Sequence, residues 1–310
     1  MRETIIDQIC KKKIIAIIHQ LDTPIWINFL LPSLDNNLNL VNNDEIQNHI
    51  YGGLLIAKEF GAHIDFLSSQ IDLELISNLD MTISRSNMFE SLKGAFATEL
   101  NEKKNKNYEI FKSVCKELGV SIGNIAGVPS ANFETQNGIR SRVYEYEAKF
   151  CDLVVSACPV HGEATSTFDA TVINSGKNAI IIPNEMKKFS MDNILIGWNG
   201  TTSISRSLTN SINILKRAKN VHIIVTKKYD DTALNAKSKL LEYLKYHDIN
   251  ATFEVVTTTN IPGEALLENT LKGEFDMVIA SSYGENGVKE VFLGGSTKHF
   301  LENTPVPVFM

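Results

Sequence analysis

The chain is poor in the features that would settle its chemistry quickly. It has four cysteines, Cys10, Cys115, Cys151 and Cys158, and no two of them form a CxxC pair. In a chain of 310 residues they read as reduced, mostly buried thiols, which excludes a disulfide-built scaffold and fits a reducing cytoplasm. There is no basic surplus: 30 Lys and Arg stand against 36 Asp and Glu, a net charge of −6, so nucleic acid is a poor partner. No apolar run reaches the length that spans a bilayer. KKKIIAIIH (11–19) has a basic flank, but its apolar stretch is short and is soon followed by Asp22 and Pro24, so it does not read as a targeting signal. No G-x-S-x-G, HxGH or SGGxDS-type pattern occurs, which leaves hydrolase and nucleotidyl-transfer chemistry without support. His161, in ACPVHGEA, has no second ligand pair at metal spacing, and His299 reads as surface or interface.

What is present is the composition of a folded protein, 43% apolar and 21% charged, in a chain long enough for two domains. The charge is uneven. Residues 1–188 carry 18 basic and 23 acidic side chains, and residues 189–310 carry 12 and 13. An anionic ligand meets less repulsion in the second half.

That half has the clearer pattern. NILIGW (193–198) is a β-type run ended by Asn199-Gly200. Residues 203–218 place Ile204, Leu208, Ile212 and Leu215 at helical spacing. VHIIVT (221–226) predicts a strand, 233–247 a helix, 249–257 a strand, and 262–272 a helix opened by Pro262. DMVIAS (276–281) predicts a buried strand, TKHFLEN (297–303) a short helix, and VPVFM (306–310) a last strand. Alternation of this kind gives a parallel sheet with helices on both faces. In strand order 3-2-1-4-5 the first and fourth strands are neighbours. The turns after them, 199–202 and 281–287, then share the crevice where the winding reverses, and ligands of such sheets bind there.

The first half repeats the plan. Strands are expected at 13–20, 63–69, 120–128, 152–159 and 178–183, with helices at 45–62, across much of 86–118, at 138–150 and at 168–176. Residues 21–44 read as a polar insertion without regular structure, and 183–192 as a linker. The expected fold class is α/β: two tandem doubly wound domains, 1–188 and 189–310, each a five-stranded parallel sheet of order 3-2-1-4-5 with helices on both faces. NAIIIP and VPVFM would each be a bare apolar edge, so they are expected to cover each other in an intramolecular pseudo-dimer.

NILIGWNG with its following helix, and DMVIASSYGENGVKEVFLGGSTKHFLENTPVPVFM (276–310), resemble a tandem universal stress protein, with a match over 190–310. In the first half the resemblance covers the element order and the DLVV…SGKNAIIIP run, without a glycine motif. ATP-binding members of that family carry Gly-x2-Gly-x9-Gly-Ser/Thr. Here VKEVFLGG sets the register, with Gly284 at the second glycine and Gly294 at the third. Ser281 replaces the first glycine and Gly295 the Ser/Thr, with Ser296 and Thr297 directly after. The turn that is often Asp in the family is Asn199. The resemblance implies an ATP-binding stress-response regulator in the cytoplasm, with ATP, and Mg where it accompanies the phosphates, held in the second half. It implies at most slow hydrolysis, and it is compatible with a homodimer.

The chemistry of that loop is consistent with such a ligand. Glycines let backbone N–H groups converge on phosphates without Cβ atoms in the way, and a helix N-terminus adds a favourable dipole. Gly284 supplies the first turn, Gly294 and Gly295 let the chain close, and Ser296 and Thr297 offer hydroxyls. The alternative is a plain loop whose helix is capped by Ser296 or Thr297. Asn199 is either an uncharged acceptor for a ribose hydroxyl or the Asn of an Asn-Gly turn with Gly200. Trp198 reads as core or crevice wall.

In the first half, ACPVHGEATSTFDA stands where the glycine loop would be. Pro159 lacks an N–H, Val160 crowds the turn, and Glu163 adds negative charge, so this half is expected to have lost its ligand. A tandem scaffold that binds no nucleotide is the rival reading.

Overall fold

The computed structural model describes residues 26–30, 43–70, 87–125, 127–158, 168, 172, 175–226, 230–256, 262–281, 300–301 and 303–310. In chain order the first half contains β1 (Trp26–Leu30), α1 (Asn43–Phe60), β2 (His63–Gln70), α2 (Asn87–Leu118), β3 (Ser121–Ile122), β4 (Ser130–Asn137) and α3 (Arg140–Glu147). A 3-10 turn (Ala148–Phe150) continues α3, and β5 (Leu153–Ala157) and β6 (Asn178–Ile182) follow. The second half contains β7 (Asn193–Trp198), α4 (Thr202–Asn210), α5 (Ile212–Leu215), β8 (Asn220–Thr226) and α6 (Asp230–Tyr246). It ends with β9 (Ala251–Val256), α7 (Pro262–Lys272), β10 (Met277–Ile279) and β11 (Val308–Phe309).

The eleven strands among the described residues form one sheet, in the order β3-β4-β2-β1-β5-β6-β11-β10-β7-β8-β9. Each half is parallel, and read from its own outer margin each follows the expected 3-2-1-4-5 winding, with β3 added outside β4. The halves join where β11 runs antiparallel to β6, Val308 opposite Ile181 and Phe309 opposite Ile180. Ala179 and Met310 exchange two backbone hydrogen bonds of 2.9 Å beside that pair. So the two apolar edge strands cover each other.

Apolar residues alternate between the two faces of the strands, and each face carries its own core. One core holds Ile50 and Leu54 of α1, Phe111 of α2, Ile204 of α4 and Leu244 of α6. The other holds Tyr144 of α3, Ala265 of α7, Phe168, Phe300 and Leu301. Both cores run beneath both halves. Further contacts cross between the halves: Arg217 donates to the carbonyl and carboxylate of Glu59 at 3.0 and 2.8 Å, and Asn210 Nδ2 donates to Asn178 Oδ1 at 2.8 Å. The Phe60 and Phe189 rings lie 6.1 Å apart between centroids.

Several expectations are corrected. β1 lies inside 21–44, the stretch read as irregular, while the strand expected at 13–20 falls outside the described residues. WINFL is only five residues long, and its partners on both sides are distant in sequence, so local pattern does not reveal it. The strand expected at 120–128 is reduced to the two residues of β3, and the long strand is β4, SANFETQN. Its polar side chains suit a strand near a sheet margin, where one face is half-covered. The helix expected over 203–218 breaks at buried Ser211, whose hydroxyl donates to the Leu208 carbonyl. The helix expected at 168–176 lies mostly outside the described residues, although Phe168 and Val172 are buried.

The fold generates two expectations. Phe309→Ala empties a fully buried site at the junction and lowers the unfolding free energy by about 3–5 kcal/mol, read by urea denaturation. The second concerns His49, buried on α1, whose imidazole is pushed by burial from its ordinary 6.5 down to about 4, partly opposed by a hydrogen bond with the Asn184 side chain. The unfolded chain therefore takes a proton that the folded chain refuses between those two values. Stability is full above pH 6.5 and falls as pH drops toward 4, by up to about 3 kcal/mol. His49→Gln flattens this slope in denaturation curves at pH 7 and pH 4.5.

Candidate functional site

The carboxyl ends of β7 and β10 lie side by side, with Ile196 opposite Ile279, and the direction of winding reverses between them. Beyond β7 the chain turns through Asn199 and Gly200 into α4. Gly200 sits at φ +77°, a left-handed conformation that a Cβ disfavours. The Asn199 side chain fastens this turn: its Oδ1 accepts from the Thr201 backbone N–H at 3.1 Å and from the Thr201 hydroxyl at 2.8 Å. Thr201 is in turn the N-cap of α4, its side chain accepting from the Ile204 N–H at 3.4 Å.

The same side chain reaches across the crevice. Asn199 Nδ2 donates to Ser281 Oγ at 2.9 Å, tying the end of β7 to the residue that follows β10. Ser281 is buried. Trp198 is half-buried and packs on the first core, as wall rather than free platform. Gly197 allows α7 close to β7: a Cβ there would stand 3.1 Å from Leu266 Cδ1. The crevice thus has a rigid back formed by two strand ends, a capped helix start and an amide bridge.

Of the residues singled out from sequence, the structure brings Asn199, Gly200 and Ser281 together and sets Trp198 beside them. Gly284, Gly294, Gly295, Ser296 and Thr297 lie outside the described residues, as do Pro159, Val160, His161 and Glu163. Thr201 was missed. Its signal was there: a threonine directly before an apolar helical period is an N-cap pattern. Both lone pairs of the Asn199 amide oxygen are engaged by Thr201, so the acceptor role toward a ribose is already filled by the protein itself.

In the first half, Cys158 lies just beyond β5. Its thiol donates to the Leu301 carbonyl of the second half. Cys115, Cys151 and Cys158 are all buried thiols, and burial pushes that of Cys115 up to about 12, which removes its nucleophilicity at neutral pH. Among the described residues no group of His, Cys, Asp and Glu side chains stands close enough to hold a metal ion. His63 does sit between Ser130 Oγ at 2.8 Å and Asp65 Oδ1 at 3.2 Å. Ser130 is fully buried at the opposite ends of the strands, so this set ties β2 to β4 and presents no nucleophile to a substrate. Among the described residues no helix is long and apolar enough to cross a membrane.

No family model and no curated protein matches the sequence. Among solved structures, the chain is similar to a universal stress protein from Archaeoglobus fulgidus DSM 4304, with 16% identity over 91% of this chain and 94% of that one and a TM-score of 0.57. A functionally unknown protein from Pseudomonas aeruginosa PAO1 aligns over 94% of this chain and 93% of its own at 10% identity, TM-score 0.49. A protein of the universal stress protein family from Burkholderia pseudomallei aligns over 38% of this chain and 95% of its own at 11% identity, TM-score 0.30. The first of these likenesses spans nearly all of both chains, and this chain has the universal stress protein fold.

Removing the amide bridge tests how far it holds the crevice. Asn199→Ala deletes three hydrogen bonds and is expected to cost about 1–3 kcal/mol by chemical denaturation. Asn199→Asp keeps both acceptor contacts to Thr201 and loses only the donor to Ser281, so its cost falls between wild type and Asn199→Ala. Thr201→Ala removes the cap and costs about 1 kcal/mol.

Proposed function

We propose that this chain is a universal stress protein of tandem design, a cytoplasmic regulator that holds one adenine nucleotide in the crevice at the ends of β7 and β10. The observation that carries the reading is the place of the crevice: the ends of β7 and β10 lie side by side at the reversal of the winding, beside the start of α4. Ligands of open α/β sheets bind at that place, and phosphates favour a helix start. The segment leading from Ser281 carries Gly284, Gly294, Gly295, Ser296 and Thr297, whose chemistry suits closure over a phosphate chain. Magnesium would accompany the phosphates rather than occupy a protein cage.

In this reading Asn199 meets the ribose with its remaining Nδ2 hydrogen, as a donor, because its oxygen serves Thr201. The two halves act as a pseudo-dimer within one chain, and only the second binds. The first half begins its loop with Pro159 and Val160 and adds Glu163. Any hydrolysis is slow, since the sequence shows no motif that arranges a base or a Lys or Arg clamp in the usual phosphoryl-transfer manner.

One observation favours the rival reading, a scaffold without nucleotide. Asn199, Thr201 and Ser281 already hydrogen-bond one another, so this part of the crevice is satisfied without a ligand. Equilibrium dialysis of the intact chain with ATP separates the two. The proposal expects one nucleotide per chain, and expects Gly284→Val and Gly294→Val to weaken binding at least about tenfold while the melting profile holds. No binding at all leaves the scaffold. Two equivalent sites, or unchanged affinity in both glycine variants, overturns the assignment to this loop.

A further inference from the structure

The sheet ends on β9, a six-residue strand, ATFEVV, with no strand on its outer side among the described residues. The opposite margin ends differently, on the two residues of β3. Open strand edges pair readily, and proteins blunt them by shortening the strand or by placing proline or lysine on it. β9 has neither proline nor lysine, and Glu254 is its single charge. Thr252 and Glu254, on one face of β9, are both exposed among the described residues. A cleft of about 620 Å³ opens there, lined by His222, Asn250, Thr252, Glu254, Lys272 and Phe275 among others. Within it His222 Nδ1 lies 2.6 Å from Thr252 Oγ1, and His222 Nε2 lies 3.6 Å from Glu254.

We propose that β9 is an interaction surface for a second copy of this chain, pairing antiparallel with that copy's β9 about a twofold axis perpendicular to the sheet. The proposal is independent of the nucleotide reading.

The register follows from charge and strand length. In an antiparallel pair, directly opposite residues share a face, so a twofold axis must pass beside one residue that meets itself. Centring on Glu254 sets two carboxylates against each other, which is unfavourable. Centring on Val255 sets Glu254 against the buried Val256. Centring on Thr252 moves Glu254 opposite Asn250, beyond the strand, and shortens the ladder. Centring on Phe253 avoids all three. Thr252 then faces the partner's Glu254, twice over by symmetry, and Ala251 faces the partner's Val255. The two Phe253 rings meet on the other face, where Lys237 Nζ already lies 5.6 Å from the ring centroid. Because the axis is perpendicular to the sheet, both clefts open on the same face, side by side. An edge of six residues is small against the roughly 1,600 Å² that stable complexes bury, so the dimer is weak and concentration-dependent.

Sedimentation equilibrium of the full chain over a wide concentration range is the test, with far-UV circular dichroism and melting to confirm that each variant is folded. The expected result is a concentration-dependent dimer. Thr252→Lys places a cation opposite each Glu254 and tightens association about tenfold, whereas Thr252→Glu weakens it about tenfold. Adding Glu254→Lys to Thr252→Glu sets opposite charges against each other again and recovers association to at least the wild-type level, which loss of the His222 contact alone would not do. A monomer at every concentration overturns the proposal. So does a dimer on which the Lys and Glu substitutions act in the same direction, or a double variant that shows no recovery.

Discussion

Two residues of β11 carry the join between the halves, and the architecture follows from that short antiparallel contact. Val308 and Phe309 lie against Ile181 and Ile180, with the Ala179–Met310 bonds beside them. The contact converts two five-stranded parallel windings and one extra edge strand into a single sheet, so each apolar core continues from one half into the other. Without it, each half would end on a bare apolar strand. With it, that margin is consumed inside the chain, and the sheet's outer margins are the short β3 and the longer β9.

The winding within each half sets where its sheet reverses. Parallel winding in each half puts the reversal between its first and fourth strands, and in the second half these are β7 and β10. There the chain spends one asparagine on three contacts: it caps its own turn through Thr201 and spans to Ser281. A carboxylate at that position could accept from Thr201 in the same way and could accept from the Ser281 hydroxyl, whereas the amide of Asn199 donates to that hydroxyl. The first half has no such bridge among the described residues. Its strand end is held instead by the Cys158 thiol on the Leu301 carbonyl, a contact that ties the two halves together.

How much of this was legible depends on where the information sits. α7 was read to the residue, Pro262–Lys272, because proline marks its start and apolar spacing marks its length. β7, β8 and β10 were read as buried strands because parallel strands covered on both faces appear as continuous apolar runs. β4 was not legible: SANFETQN has little apolar content, and its eight-residue pairing with β2 is a long-range fact. β1 was hidden in an asparagine-rich stretch for the same reason. Thr201 was legible as an N-cap, but its two contacts to Asn199 depend on that side chain being turned inward, which only the folded turn reveals.

By itself the sequence determined the alternation of strands and helices in the second half, most of the helices of the first, the glycine-rich stretch beyond β10 and its absence beyond β5. These are local properties, written in hydrophobic period and in residues that permit or forbid a backbone conformation. Tertiary structure alone decided which atoms of Asn199 remain available, the register of β6 on β11, the break at Ser211 and the exposure of the β9 edge. Each of those depends on groups far apart in the chain arriving within hydrogen-bond distance. No local pattern records that arrival, because its free energy exists only once the sheet has closed around it.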